Sequence, residues 1–205
     1  MRVLKPVLLT TAALVGASSL AAQAPPAPAP AAQASPQVRM PPPGRRSPHE
    51  TTGAVIGDRR TGNRITIVYG RPYTKDPRTG EARKVWGGLV PFGKVWRTGA
   101  DEATLLVTQQ PLVFGTVTIP AGACTLFMLP AEDGSAKLIF NRQIGQWGLQ
   151  YDEKQDIARV DLKKEPLEKP ADQFTITVEN NPAGGGVIKL MWESTQYSAA
   201  FSVSQ

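Results

Sequence analysis

The sequence predicts an all-β domain: an antiparallel β-sandwich, or a barrel-like sandwich, of about eight to ten short strands. Three observations carry this reading. Apolar and polar residues alternate with period two along most of the chain after residue 47, the mark of half-buried antiparallel strands. Turn residues interrupt that pattern at short intervals. No stretch of about a dozen residues carries an apolar stripe at the 3.6-residue helical period, so no crossover helices are expected to link parallel strands.

Taken in order, the chain opens on an expected export signal, residues 1–24. Arg2 and Lys5 precede an apolar run from Val7 to Leu20 that is too short to span a bilayer. Two small-x-small sites follow, Ser19-Leu20-Ala21 and Ala22-Gln23-Ala24. Cleavage after Ala21 is favoured, because cleavage after Ala24 would have to break a bond to Pro25. An uncleaved anchor is the alternative. Residues 25–46 are rich in Pro and Ala, which holds a backbone extended and leaves nothing to build a core from, so they read as a disordered linker. Residues 47–205 are then one domain in a protein exported through the inner membrane to the periplasm or beyond, with no membrane span in the mature chain.

Within that domain, Ile65, Ile67 and Tyr69 share one face of a strand, with Thr66 and Val68 on the other. Further strands are expected at 104–108, 112–119, 123–129, 136–141 and 156–163. Phe174, Ile176 and Val178 alternate with Thr, and Ile188, Leu190 and Trp192 define another strand. Tyr197, Ala199, Phe201 and Val203 define the last. Turns fall at Pro120-Ala121-Gly122, at Asp133-Gly134, at Asn180 to Gly186 and at Ser194-Thr195. The best helical candidates are single turns around Pro91–Trp96 or Tyr151–Asp156.

Charge and cysteine content narrow the function. The chain carries 23 basic and 17 acidic residues, net +6. Removing Arg2 and Lys5 leaves +4, and removing Arg39, Arg45 and Arg46 leaves +1 for residues 47–205. The basicity belongs to the leading segments, so no nucleic-acid partner is expected. Inside the domain, residues 58–97 hold ten basic and three acidic side chains, whereas residues 101–205 hold eight and thirteen. Either an anionic ligand sits near the first half or the two halves pair with each other. Cys124 is the single cysteine, so no internal disulfide supports the core, and its strand-like surroundings read it as a small buried hydrophobe.

The segment from Tyr69 to Glu102 is too broken by Gly and Pro for regular structure, yet it holds Tyr73, Trp86, Phe92 and Trp96 with Arg71 and Arg97 among them. With Trp147 and Tyr151 from a second Gly-rich segment, Arg71, Tyr73, Trp86, Trp96 and Arg97 form a candidate ligand-binding set. Rings would stack on a small molecule or glycan and guanidinium groups would bind its acidic or hydroxyl groups. The same residues could instead plug one end of the sandwich, with Arg71 or Arg97 pinned by Asp101 or Glu102.

Catalytic candidates are few. Asp101-Glu102 and Asp152-Glu153 are carboxylate pairs beside aromatic loops, the residue types of a glycan hydrolase, but neighbours on a strand face opposite ways. His49 is the only His, which excludes any zinc site needing two imidazoles from one chain. No nucleophile elbow, phosphate loop or dinucleotide fingerprint occurs. No cofactor or metal is expected, and a non-catalytic binding or structural module is favoured over a hydrolase.

The stretch SPHETTGAVIGDRRTGNRITIVYGRPYTKDPRTGEARKVWGGLVPFGKVWRTGADEATLL, with IPAGACTLFMLP, FNRQIGQWGLQYDE and IKLMWEST, resembles a bacterial exported family, the domain of unknown function 2911. GGLVPFGKVWRTGADEAT is the most specific part. The resemblance covers roughly residues 47–203 and implies export and a mostly β domain, but no activity. The loop between Tyr73 and Lys84 is longer than the family pattern, extended by Thr74–Arg83.

Overall fold

The computed structural model describes residues 46–203. The expected export signal and all but the last residue of the linker lie outside the described residues. The remainder is almost wholly β: a single antiparallel sheet of nine strands, not closed into a barrel. No helix among the described residues is long and apolar enough to cross a membrane.

The strands are β1 (His49–Ile56), β2 (Asn63–Gly70), β3 (Thr104–Thr108), β4 (Leu112–Phe114), β5 (Val117–Ile119), β6 (Gly122–Pro130), β7 (Ala136–Asn141), β8 (Asp156–Asn180) and β9 (Gly186–Val203). Their order in the sheet is β1-β2-β3-β6-β7-β8-β9-β4-β5. The two layers of the expected sandwich are therefore two parts of one sheet. They arise because β8 and β9 are long, at 25 and 18 residues. The first part of β8 pairs with β7, and the rest turns away to pair with β9.

That turn is made where the sequence suggests interruption. β8 passes through Pro166 and Pro170, and its register against β9 shifts between Pro166 and Ala171 and again between Ala171 and Thr175. Proline lacks the N–H that a ladder needs and is tolerated at such irregularities. Two strands expected at 156–163 and 174–178 are thus one bent strand. Ser194-Thr195 is likewise no turn: β9 runs through it, with Glu193 just before in left-handed backbone (φ 50°). The opposite happens at 112–119, where the expected single strand is the β4–β5 hairpin. Of the two helical candidates, one turn of 3-10 helix forms at Glu153–Gln155 and none at Pro91–Trp96.

The core lies between the layers. Ile65, Ile67 and Tyr69 of β2 and Leu106 of β3 face Phe174 and Ile176 of β8 and Ile188, Leu190 and Trp192 of β9. The Tyr69 and Phe174 rings meet edge-on at 5.9 Å, and the Tyr69 hydroxyl accepts the Ile176 N–H at 2.9 Å. At the open side, the Asn180 side chain accepts from Gly57 N at 3.0 Å and donates to Val55 O at 3.1 Å. Cys124 is buried in this core, and desolvation pushes its thiol up to about 12.

The outer face of the sheet has an apolar layer of its own. Ala103, Phe127 and Ile139 are buried there beneath Val95, Leu129 and Tyr151. The segment that covers them, 142–152, is held by hydrogen bonds from Ala103 N to Gln146 O (3.2 Å), from Gly148 N to Asp101 O (3.0 Å) and from Gln146 Nε2 to Thr125 Oγ1 (3.2 Å).

Candidate functional site

The motif Trp96-Arg97-Thr98-Gly99-Ala100-Asp101-Glu102 crosses from the core to the outer face within seven residues. Trp96 belongs to the core: it is 8 % exposed, lies nearly parallel to Trp192 at 5.9 Å and meets Phe174 at 5.0 Å. Thr98 and Asp101 both hold left-handed backbone, φ 53° and 66°, a conformation that side-chain-bearing residues adopt at a cost. Packing fixes it. Thr98 is fully buried, its carbonyl accepts the Thr104 hydroxyl at 2.7 Å, and Ala100 N donates to Gly70 O at 3.2 Å. A Cβ on Gly70 would lie 2.3 Å from Ala100 O, so only glycine admits the turn.

This turn delivers Glu102 to the outer face, where its Oε2 lies 2.9 Å from His49 Nε2. His49 is the first residue of β1 and pairs with Gly70, so it projects to the same side as Val68, two residues earlier. His49, Val68, Glu102, Ala103, Leu105 and Gly145 line a cleft of about 340 Å³. Glu102 also stands opposite Trp147 in an isolated antiparallel bridge. Residues so paired send their side chains to the same side. Trp147 is 45 % exposed, and Ile144 and Leu149 of the same loop are more exposed still.

Arg97 lies beneath that loop, its Cδ only 2.1 Å from where a Cβ on Gly148 would be. Burial lowers the pKa of its guanidinium from the usual range, and the charge of Asp101 partly restores it. Arg71 sits on the inner side. It pairs with Glu50 and donates to Phe174 O at 3.0 Å and to Thr175 Oγ1 at 2.7 Å. The guanidinium thus ties the end of β2 to β8, with Glu50 as its carboxylate partner rather than Asp101 or Glu102. Trp86 is half-buried and meets Tyr197 edge-on at 5.4 Å. Tyr73 forms an isolated bridge with Gln173. The Thr74–Arg83 extension is a small hairpin in which Lys75 pairs with Ala82 and Asp76 N donates to Glu81 O at 2.8 Å.

Tyr151 covers Phe127 at 4.8 Å. Its hydroxyl donates to Asp156 Oδ2 at 2.7 Å and accepts from Arg159 at 3.0 Å. Burial, then the Asp156 carboxylate, pushes that hydroxyl up to about 12. Arg159 binds Asp156 Oδ2 through both Nε (2.9 Å) and Nη2 (2.8 Å) and Glu153 at 2.7 Å. Asp152 caps the 3-10 turn by accepting from Lys154 N at 3.0 Å.

The structure therefore brings His49, Glu102 and Trp147 together, and places Asp101 and Arg97 behind them. It commits Arg71, Trp86 and Trp96 to packing, and Asp152 and Glu153 to a local network around Arg159. Val68, Leu105 and Gly145 escape a reading keyed to polar and aromatic residues. For Leu105 the signal that could have found it is β3 itself, in which Leu105 and Val107 hold the positions alternating with Leu106. Among the described residues no group of three or more His, Cys, Asp or Glu side chains is placed to hold a metal ion.

A family model described as a protein of unknown function, domain of unknown function 2911, matches residues 47–201. The chain belongs to that family. In this member of the domain of unknown function 2911 family, the matched span runs from just before His49 to Phe201, near the end of β9, and includes every residue of the cleft. No curated protein and no solved structure matches the chain.

Proposed function

We propose that this chain is an exported, non-catalytic binding module that takes a small molecule in the cleft beside His49 and Glu102, with Trp147 as the ring that meets it. The observation that carries this reading is the 2.9 Å pairing of His49 with Glu102 directly opposite an exposed tryptophan. A fixed polar pair beside an aromatic ring on a pinned loop is how small-molecule sites orient a ligand. Two left-handed residues just before Glu102 support it, since such backbone concentrates where side chains must be held in place. The engagement of Asp152 as a cap and of Glu153 with Arg159 weighs against a two-carboxylate hydrolase.

The test is a fluorescence titration of the purified protein against cell-envelope glycans and small organic molecules, alongside Trp147→Phe. A saturable change that Trp147→Phe abolishes supports the reading. Silence across the panel, checked by calorimetry, counts against it. Export is tested separately by N-terminal sequencing of the protein recovered outside the cytoplasm, with Ala22 expected first. Recovery of the intact chain from the cytosol removes that part.

A further inference from the structure

Residues 58–97 hold ten basic and three acidic side chains, and little of that excess is spent on the second half of the domain. Arg71 pairs with Glu50, and Arg97 lies beside Asp101. Acids of the second half are met by cations of the same half: Asp161 by Lys137, Glu165 by Lys163, Glu179 by Lys189, and Glu153 and Asp156 by Arg159. Other cations of the first half, Arg59 and Arg78 among them, are exposed.

Arg78 stands at a cleft of about 440 Å³, which it lines together with Arg46, Pro48, Tyr73 and Pro77. Pro77 and Arg78 come from the Thr74–Arg83 hairpin, so the extension builds one wall. That wall is fixed at its base. Tyr73 bridges Gln173, Thr74 N donates to Asp172 O at 2.8 Å, and the Arg83 guanidinium donates to Tyr73 O. Gly80 N closes the hairpin by donating to Asp76 O at 2.8 Å. A site held in this way has little ordering left to lose on binding. Asp76 attracts both Arg78 and Arg46, but its Oδ1 accepts the Arg78 N–H at 2.8 Å and the Thr79 N–H at 3.3 Å. Two guanidinium groups against one carboxylate leave the cleft positive.

We propose that this second cleft binds an aryl phosphate, its phosphate held between Arg46 and Arg78 and its ring resting against Pro48, Tyr73 and Pro77. The planar fork of a guanidinium matches phosphate oxygens. A phosphate with close to two negative charges answers both arginines, whereas a carboxylate brings one charge. A tyrosine ring favours an aromatic body, through offset or edge-on contact. Bare phosphate would leave that wall unused. The site shares no lining residue with the cleft beside His49 and Glu102, so it stands or falls separately.

The experiment is calorimetric titration of the purified protein with phenyl phosphate, inorganic phosphate, benzoate and phenol, at low salt because exposed charges are screened. Phenyl phosphate is expected to bind, inorganic phosphate and benzoate more weakly, and phenol not at all. Arg46→Gln and Arg78→Gln should each weaken phenyl phosphate about tenfold. Asp76→Asn keeps an acceptor for the two N–H groups but loses the competing charge, and should tighten binding by up to about fivefold. Arg59→Gln, in the turn beyond the other end of β1, should change nothing. The three arginines are exposed, and circular dichroism checks each variant; if Asp76→Asn opens the hairpin, the arginine variants still decide. An equal loss in Arg59→Gln and Arg78→Gln would mean a diffuse positive field and overturns the site. Full affinity in both Arg46→Gln and Arg78→Gln places the ligand elsewhere and overturns it too. Benzoate or phenol binding as tightly as phenyl phosphate overturns the phosphate. Silence from phenyl phosphate overturns the proposal and leaves the cleft beside His49 untouched.

Discussion

Arg97 lies across the bare α-carbon of Gly148, so close that a Cβ there would come within 2.1 Å of Arg97 Cδ and 2.8 Å of Asp101 O. The guanidinium stem therefore packs directly against the loop that carries Trp147. Gly148→Ala is expected to destabilise the fold by about 1–3 kcal/mol through overpacking and to shift Trp147 emission, both measured in one urea titration. Wild-type stability and spectrum in that variant would mean that the contact is not fixed in solution.

Trp96 and Trp147 should separate cleanly. Trp96→Ala removes a ring packed on Trp192 and Phe174 and should cost about 3–5 kcal/mol. Trp147→Ala removes an exposed ring and should stay within about 0.5 kcal/mol of the parent. Equilibrium denaturation of the two variants checks the difference. Equal losses would show that the loop, too, is part of the core.

Tyr151 offers a pH test. Its hydroxyl is raised from an ordinary value near 10 to about 12, so the folded state holds the proton more tightly than the unfolded one. The stabilisation is present in full below pH 10 and is lost as the pH rises through about 12. Burial raises the Tyr69 and Tyr197 hydroxyls as well, so ultraviolet titration of the phenols should show a late component from which Tyr151→Phe removes one group, and the variant's stability should fall less between pH 10 and pH 12. A Tyr151 that ionises with free tyrosine would contradict its burial and its bond to Asp156.

Cys124 gives a probe of opening. Desolvation raises its thiol to about 12, so the native protein should resist a thiol reagent at pH 8 and react only as it unfolds. Labelling should track the denaturation curve. Rapid labelling of the folded protein would show that the β6 core is accessible.

The alternation of Ile65, Ile67 and Tyr69, and of Ile188, Leu190 and Trp192, made the core strands legible, because period two is a local property. The join across Pro166 and Pro170 was not, since proline ordinarily ends a strand and the irregular register that tolerates it depends on β9. Trp96 and Trp147 sit in similar glycine-rich settings, and nothing local distinguishes the ring that enters the core from the one that leaves it. His49 and Glu102 lie 53 residues apart. Their meeting depends on the β1–β2 pairing and on the left-handed turn at Thr98–Asp101, neither of which leaves a periodic trace. The apolar outward face of β3 was readable in principle, but a short strand with apolar residues facing both sides looks the same whether it is covered by a loop or by a ligand.

One continuous sheet also sets how the molecule can flex. Both layers hang from β8 and β9, so parting them means bending these strands near the register shifts and at Glu193. They act as a spine, and Arg71 is the brace across it, reaching from the end of β2 to Phe174 and Thr175. Any breathing of the two halves would slacken that brace first, and the β1–β2 platform under His49 would tilt with it.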